Sequence, residues 1–449
     1  MNRRELLKVI LSAGIGLSTY GAWGRNLGLV NAMANSQSYS DHKALVCIFL
    51  YGGNDSYNML IPTLDSEYQV YASVRQNLAV AQNSLIPLTP TSTLAYELGV
   101  PESMSAVANL FSQNKLAFVS NVGTLLQPSS KEDILNGNVE LPTQLFSHND
   151  QQDLWQLGVA NKSVNSGWAG RMADLMADTN SSGLPINLSL QGTNILQVGN
   201  LSQPYTIDTG GVPLFEALNP EHDWNSSRIS ALDKLLELSS HKIGSEYKKI
   251  LNRGRENSLF INEVLSAREE LTTSFENNSL SQQLSMVAKM IGAREELGMQ
   301  RQVFFVGVGG WDTHDRQNTE HPNLLTMLSN GMSTFQSALA ELGVEDSVTT
   351  FTASEFGRTL TSNGDGTDHG WAGHQLVMGG AVTGKDIYGS MPDLALGSAN
   401  DIGEGRMIPS HASEEYFAPL VRWFGLSESQ IAEIFPYLNR FDQNGMTFI

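Results

Sequence analysis

The stretch ALVCIFLY, residues 44–51, followed at once by Gly52-Gly53-Asn54-Asp55-Ser56, decides how this chain folds. Eight apolar residues closed by a double glycine are too few for a buried helix and too uniform for a strand with one wet face. They read as a strand buried on both faces of a parallel sheet. Residues 116–121, 303–308 and 348–353 have the same character, and amphipathic helical segments lie between them, among them residues 103–112, 280–297 and 332–342. Strand and helix in alternation predict an α/β fold with a mostly parallel, doubly wound sheet flanked by helices. Ligands of such sheets bind beyond the carboxyl ends of the strands, so the residues just after each strand carry the functional information.

Away from that core the texture changes. Residues 225–300 have long helical periodicity, many charges and few glycines, and predict a helical insertion, with one or two helices over residues 227–275 and a break at 276–278. Residues 181–220 are rich in Gly, Ser, Asn and Pro and predict loops with short strands. Two amphipathic helices, residues 416–424 and 427–435, are expected to close the domain, with Trp423 and Phe424 in its core. Cys47 is the single cysteine and sits inside the first apolar run, so no internal disulfide forms and stability comes from burial.

The N-terminus reads as an address. Residues 2–8, NRRELLK, carry Arg3-Arg4; a mostly apolar stretch over residues 9–23 comes next, and small residues lead to Ala32-Met33-Ala34. That order is the order of a bacterial signal peptide. Gly14, Gly16, Ser18, Thr19 and Gly21 dilute its hydrophobicity below that of a spanning helix, which needs about 20 strongly apolar residues. The paired arginines, with Leu6, Leu7 and Lys8, resemble a twin-arginine motif. The expectation is a signal over residues 1–34, export by the twin-arginine machinery, and a periplasmic or secreted domain over residues 35–449 with no membrane span after cleavage. The whole chain carries a formal charge of −19, and loss of the signal removes Arg3, Arg4, Lys8 and Arg25 against Glu5 alone. Such an acidic domain repels nucleic acid and anionic lipid.

The strand ends share a pattern. Asp55 stands after the first; Gly309-Gly310-Trp311-Asp312-Thr313-His314-Asp315 comes after residues 303–308; Ser354-Glu355-Phe356-Gly357-Arg358 comes after residues 348–353. A glycine-rich loop then leads to Gly366-Thr367-Asp368-His369-Gly370. Three strand ends and one loop therefore bring Asp55, Asp312, His314, Glu355, Asp368 and His369 towards one crevice. Crowded carboxylates repel unless a metal ion, protons or arginine discharge them. Mixed carboxylate and imidazole donors suit a divalent ion, zinc or manganese, with calcium or magnesium preferred if histidine is not a ligand. Plainer roles stay open: Asp55 as turn-maker or cap, Asp312 and His314 as caps of the following helix, Asp368 as a turn residue, Glu355 with Arg358 as an ion pair. His321, His374 and His411 are isolated and read as structural. A glycine-rich run from Gly379 to Lys385 begins like a phosphate-binding loop, but Asp386 stands where Ser or Thr must hold magnesium.

The segments VCIFLYGGNDSYNMLIP (46–62), FSHNDQQDLWQ (146–156), GWAGRM (167–172), VFFVGVGGWDTHDRQ (303–317), FTASEFGRT (351–359), DHGWAGHQLVMGGAV (368–382) and IYG (387–389) closely resemble domain-of-unknown-function family 1501. The resemblance is collinear and covers nearly all of the chain after residue 34. That family is grouped with the sulfatases and alkaline phosphatases, which implies an alkaline-phosphatase-like fold with divalent metals at the carboxyl edge of its sheet. By this resemblance Asp55 takes the place of the aspartate after the first strand, Asp312 with His314 that of a later ligand pair, and His369 that of the histidine before the last stretch of sheet. The phosphatases carry an adjacent Asp-His pair where this chain has Glu355-Phe356. Either one of two metal positions is lost, or Asp368 fills it from the loop.

Ester transfer in that superfamily needs a nucleophile at a helix N-terminus. Ser147, ahead of a helical run over residues 150–157, is the best placed, and N-capping is its plainer role. His148 beside it is open as a ligand, an acid/base or a surface residue. The sulfatase signature of Cys or Ser followed by x-Pro-x-Arg is absent from the sequence. Two functions are consistent with these residues. One is an exported metal-dependent hydrolase or transferase of phosphate or sulfate esters, small or polymeric, with Ser147 as nucleophile, His148 beside it and Arg358 as anion clamp. The other is a non-catalytic exported protein that keeps the fold and binds a glycan, a polymer or an outer-membrane partner.

Overall fold

A strand that is apolar at every position must be covered on both sides, and the chain supplies both covers. The structure, a computed structural model, describes residues 39–177, 179–213, 218–219, 222–237, 242–442 and 446–449; the expected export signal, residues 1–34, lies outside them. In chain order the described strands are β1 (Lys43–Leu50), β2 (Ile61–Pro62), β3 (Leu85–Pro87), β4 (Leu98–Pro101), β5 (Leu116–Gly123), β6 (Asn187–Ser189), β7 (Tyr205–Thr206), β8 (Arg301–Val308), β9 (Val348–Ala353), β10 (Arg358–Ser362), β11 (Thr367–His369), β12 (Gly373–Met378), β13 (Ile387–Gly389) and β14 (His411–Ala412). A nine-stranded sheet runs in the order β13-β5-β12-β9-β1-β8-β6-β7, with β14 also on β5. β1 is parallel to β8 and β9, while β12 is antiparallel to both its neighbours and, among the described strands of this sheet, alone opposes the rest. The architecture is a mixed α/β one with a mostly parallel central sheet.

Alternation along β1 sends Ala44, Val46, Ile48 and Leu50 into one core and Leu45, Cys47 and Phe49 into another. The first is closed by the helices Ser105–Ser112, Ser279–Gly292 and Gln317–Glu341, through residues such as Leu284, Val287, Leu328 and Phe335. The second is closed by Trp168–Leu175 and Ser413–Phe424, through Trp168, Tyr416 and Phe417. Phe424 is buried in that second core, and Trp423 packs at its margin.

The helices beyond the sheet follow the sequence pattern with informative differences. Ser226–Glu237 and Lys242–Ala267 are separate helices, and the break at residues 276–278 ends at Asn278, whose side chain accepts the Ser281 N–H at 2.8 Å and caps Ser279–Gly292. The expected segment 280–297 stops as helix at Gly292 and continues as turns to Gly298, which has a positive φ of 59°. The expected segment 332–342 is only the C-terminal part of Gln317–Glu341, because Pro322 and a polar opening disguise its first turns. No helix among the described residues is long and apolar enough to cross a membrane.

The sheet also fixes where the functional loops emerge. Leu50 pairs with Val308 and Phe49 with Ala353, so the loops after β1, β8 and β9 leave the sheet side by side. Gly52 and Gly53 let them close together. Their φ angles are 127° and 84°; a Cβ on Gly52 would collide with the backbone nitrogen of Asp312, and one on Gly53 with the ring of Phe356.

Phe351 reports on this core, being fully buried with ring centroids 5.9 Å from Trp168 and 6.1 Å from Phe417. Phe351→Ala is expected to lower the unfolding free energy by about 3–5 kcal/mol in urea titration; a loss below about 1 kcal/mol would contradict the packing described.

Candidate metal centre

The loop after β8 alternates its side chains. Trp311 and Thr313 point inward and are buried, leaving Asp312 and His314 at the surface of the crevice. β10 and β11 form a two-stranded hairpin in which Arg358 faces His369, and this sets His369 against the same loop. The helix His148–Leu157 begins at the crevice and brings His148 from the opposite side.

Four side chains meet there. His148 Nε2 lies 3.4 Å from Asp312 Oδ2; His314 Nε2 lies 3.1 Å and His369 Nε2 3.4 Å from Asp312 Oδ1; the Nε2 atoms of His314 and His369 are 2.9 Å apart. One ligand atom from each of His148, Asp312 and His369 lies within 4.8 Å of the others.

The opposite ring nitrogens are all committed to oxygens. His148 Nδ1 is 2.9 Å from Glu355 Oε1, His314 Nδ1 is 3.1 Å from Asp368 Oδ1, and His369 Nδ1 is 2.8 Å from the Phe146 carbonyl oxygen. Carbonyl and ionised carboxylate oxygens only accept, so each of these nitrogens carries the proton and donates it. In the neutral rings every Nε2 therefore presents a lone pair, and the three lone pairs surround one carboxylate.

The charges are uneven. The hydrogen bond to Glu355 holds His148 above the ordinary histidine range, which burial opposes and the Asp312 charge supports. Burial pushes His369 below that range, against the pull of its bond to Phe146. Burial alone would raise the Asp312 carboxyl, but Arg358, His314 and His148 outweigh it and hold the group low. Arg358 is fully buried, donates from Nη2 to Asp312 Oδ1 at 2.7 Å, and keeps Nε and Nη1 buried without a hydrogen-bond partner among the described residues.

Of the six expected ligands, then, Asp312, His314 and His369 come together, His148 joins them, and three stand apart. Asp55 is fully buried in an ion pair with Arg75 and also accepts from Gln317, so its charge is answered inside the fold. Glu355 is fully buried behind His148, and Asp368 stands behind His314. Ser147 is the N-cap residue of its helix, but its hydroxyl donates to the Asp150 carboxylate at 2.8 Å rather than capping a backbone N–H. Asp150 is held low by Lys162 and by Ser147 itself. His321 and His374 are buried away from the cluster, bonded to Asn54 and to the Asn121 N–H. Phe356, which stacks on His369 at 4.6 Å and also lies against His148 at 4.9 Å, forms a wall of the site for which its apolar character was the only sequence signal.

The fold and this cluster define an α/β protein that presents three histidines and a carboxylate at the carboxyl edge of a mostly parallel sheet. The chain belongs to the family described as "Protein of unknown function (DUF1501)", whose profile matches residues 42–435. No curated protein matches it in sequence. Similar solved structures include Ps i-CgsB, at 8% identity and a TM-score of 0.36, covering 90% of this chain and 78% of that one. The same protein in complex with k-i-k-neocarrahexaose gives 9% identity, a TM-score of 0.33 and coverage of 87% and 74%. A protein from the study of glycosaminoglycan metabolism by Bacteroides thetaiotaomicron gives 9% identity, a TM-score of 0.35 and coverage of 88% and 75%. Likenesses this low say nothing about the chemistry of the cluster, which rests on its own geometry.

The electrostatics lead to two expected outcomes. Arg75→Met strands the Asp55 charge in the interior and is expected to cost about 3–5 kcal/mol by denaturant titration, while the content of any bound metal stays unchanged. Because the folded pKa of His148 is raised, its contribution to the metal-free protein is full below about pH 6.5 and is lost as pH rises through the raised value. The stability difference between wild type and His148→Gln, measured in chelator from about pH 5.5 to 8.5, should therefore shrink with rising pH.

Proposed function

We propose that this protein is a metal-dependent hydrolase or transferase of phosphate or sulfate esters, built on one divalent ion held by His148, Asp312, His314 and His369. The observation that carries the reading is the 2.9 Å approach of the His314 and His369 Nε2 atoms, whose Nδ1 protons are both given to oxygens. Two lone pairs that close repel each other unless a cation or a proton lies between them. Three imidazole nitrogens and one carboxylate suit zinc or manganese better than calcium or magnesium. Support also comes from behind the donors, where a carboxylate or carbonyl fixes each ring, the arrangement metal-bound histidines require.

A bound ion supplies Lewis-acid polarisation of an ester oxygen and activation of water. The chain's own residues provide the rest. Arg358 balances Asp312 and adds positive charge beneath the cluster. Phe356 excludes water from one face of His369. Ser147 gives its proton to a carboxylate made weakly basic by Lys162, so in this reading water rather than Ser147 attacks the ester, and Ser147 orders the helix start that delivers His148. An alkaline-phosphatase-like descent of the fold belongs to the same proposal. So does export to the periplasm or beyond by the twin-arginine route, which rests on Arg3-Arg4 and the apolar stretch after them.

The second reading, a non-catalytic exported binding protein, is favoured by one feature: Phe356 stands against two of the histidines where a polar residue would serve chemistry. Metal analysis of the purified protein, with a panel of aryl phosphates and sulfates, separates the readings. Wild type should hold about one equivalent of zinc or manganese, Asp312→Asn and His369→Ala should lose it with at least about a hundredfold of turnover, and Ser147→Ala should keep both. Metal without turnover on any ester would select the binding reading. A wild type that takes up no divalent ion would refute the centre itself.

A further inference from the structure

Glu355 is the most completely engaged carboxylate at the crevice, and among the described residues neither a lysine nor an arginine bonds to it. Its side chain is fully buried. Three donors converge on a single oxygen, Oε1: the Gly52 N–H at 2.8 Å, His148 Nδ1 at 2.9 Å and Gln152 Nε2 at 2.9 Å. They arrive from two places in the fold, the loop after β1 and one face of the helix His148–Leu157, where residues 148 and 152 are one turn apart. A desolvated carboxylate is costly unless well bonded, so this convergence holds the helix start against the ends of β1 and β9. Its consequence for the cluster is directional. With Nδ1–H given to Glu355, the His148 ring turns its other nitrogen towards Asp312.

We infer that Glu355 is a positioning residue that fixes the tautomer and orientation of His148 from behind, and that it does not itself ligate the ion. This deepens the metal reading above and rests on it. It assigns a task to the departure Glu355-Phe356: the acidic residue orients one histidine, and the adjacent ring of Phe356 stacks on another, His369. The metal centre is thereby served by two neighbouring residues of which neither contributes a ligand atom.

The test is a double-mutant cycle on zinc affinity, measured by competition with a chromogenic chelator in the purified full-length domain, using wild type, Glu355→Gln, His148→Gln and the double variant. Glu355→Gln is expected to weaken zinc binding about 10–100-fold, Glu355→Asp to restore part of it, and the double variant to bind no more weakly than His148→Gln alone. Additive losses in the cycle would show Glu355 to be a ligand in its own right, and unchanged affinity in Glu355→Gln would show it to be structural only; either result overturns the inference. A readout without metal guards against a variant that merely unfolds or a wild type that binds no zinc. In the metal-free protein, at a pH where the ring is neutral, the nitrogen NMR shifts of His148 should report the Nδ1–H tautomer in wild type and a mixture in Glu355→Gln. A wild type that binds zinc but shows the Nε2–H tautomer refutes the positioning role alone, whereas absence of zinc binding with the Nδ1–H tautomer present refutes the metal reading and leaves the orientation of His148 by Glu355 standing.

Discussion

The close approach of three loops at Gly52-Gly53 is the constraint on which the rest of the site depends. β1 is buried on both faces between β8 and β9, so its end is flanked by theirs, and any side chain in the turn would force them apart. With two glycines in left-handed backbone, the Asp312 amide and the Phe356 ring pack directly on the turn. The Gly52 N–H is thereby left facing Glu355, which accepts it together with His148. A backbone requirement two residues beyond the first strand thus propagates to the orientation of a histidine on a distant helix.

Charge is distributed around that point in layers. Deepest is Asp55, neutralised by Arg75 inside the fold. Above it lies Arg358, buried and paired with the half-exposed Asp312. At the surface of the crevice the three histidines face the same carboxylate, each braced from behind by Glu355, Asp368 or the Phe146 carbonyl. Asp55, Glu355 and Asp368 are bonded to donors behind the cluster, whereas Asp312, held by Arg358 through Oδ1, is the carboxylate that the three histidine Nε2 atoms face. That hierarchy explains how a chain with a large acidic excess can gather carboxylates at one sheet edge without mutual repulsion.

Much of the fold was legible because burial writes a simple code. Eight apolar residues in a row at residues 44–51 require cover on both faces, and the helices on either side of β1 are that cover. The run at residues 348–353 coincides with β9. Less legible were element limits: Pro322 and polar neighbours disguised the opening of Gln317–Glu341, since a helix's exposed first turns carry little periodic apolar signal. The site was legible as a place more than as a set of roles. Asp312 and His314 were readable as candidates from their position after a strand and His369 from the glycine-rich loop that leads to it, whereas the roles of Asp55, Glu355 and His148 were not, because a carboxylate after a strand looks the same whether its partner is an arginine, an imidazole or an ion.

By itself the sequence determined four buried strands of a mostly parallel sheet, helices that flank it and the edge at which polar residues gather, all consequences of local apolar pattern and of glycine where the backbone turns; the order of the nine strands and the antiparallel β12 came from the tertiary structure. Only the tertiary structure decided the pairing. Glu355 meets His148 across 207 positions and His369 meets the Phe146 carbonyl across 223, while Asp55 finds Arg75 only 20 positions away and is withdrawn from the cluster. Hydrogen bonds and ion pairs act over a few ångströms and turn on atom positions, and those positions are set by how the loops close over the sheet rather than by the order of residues along the chain.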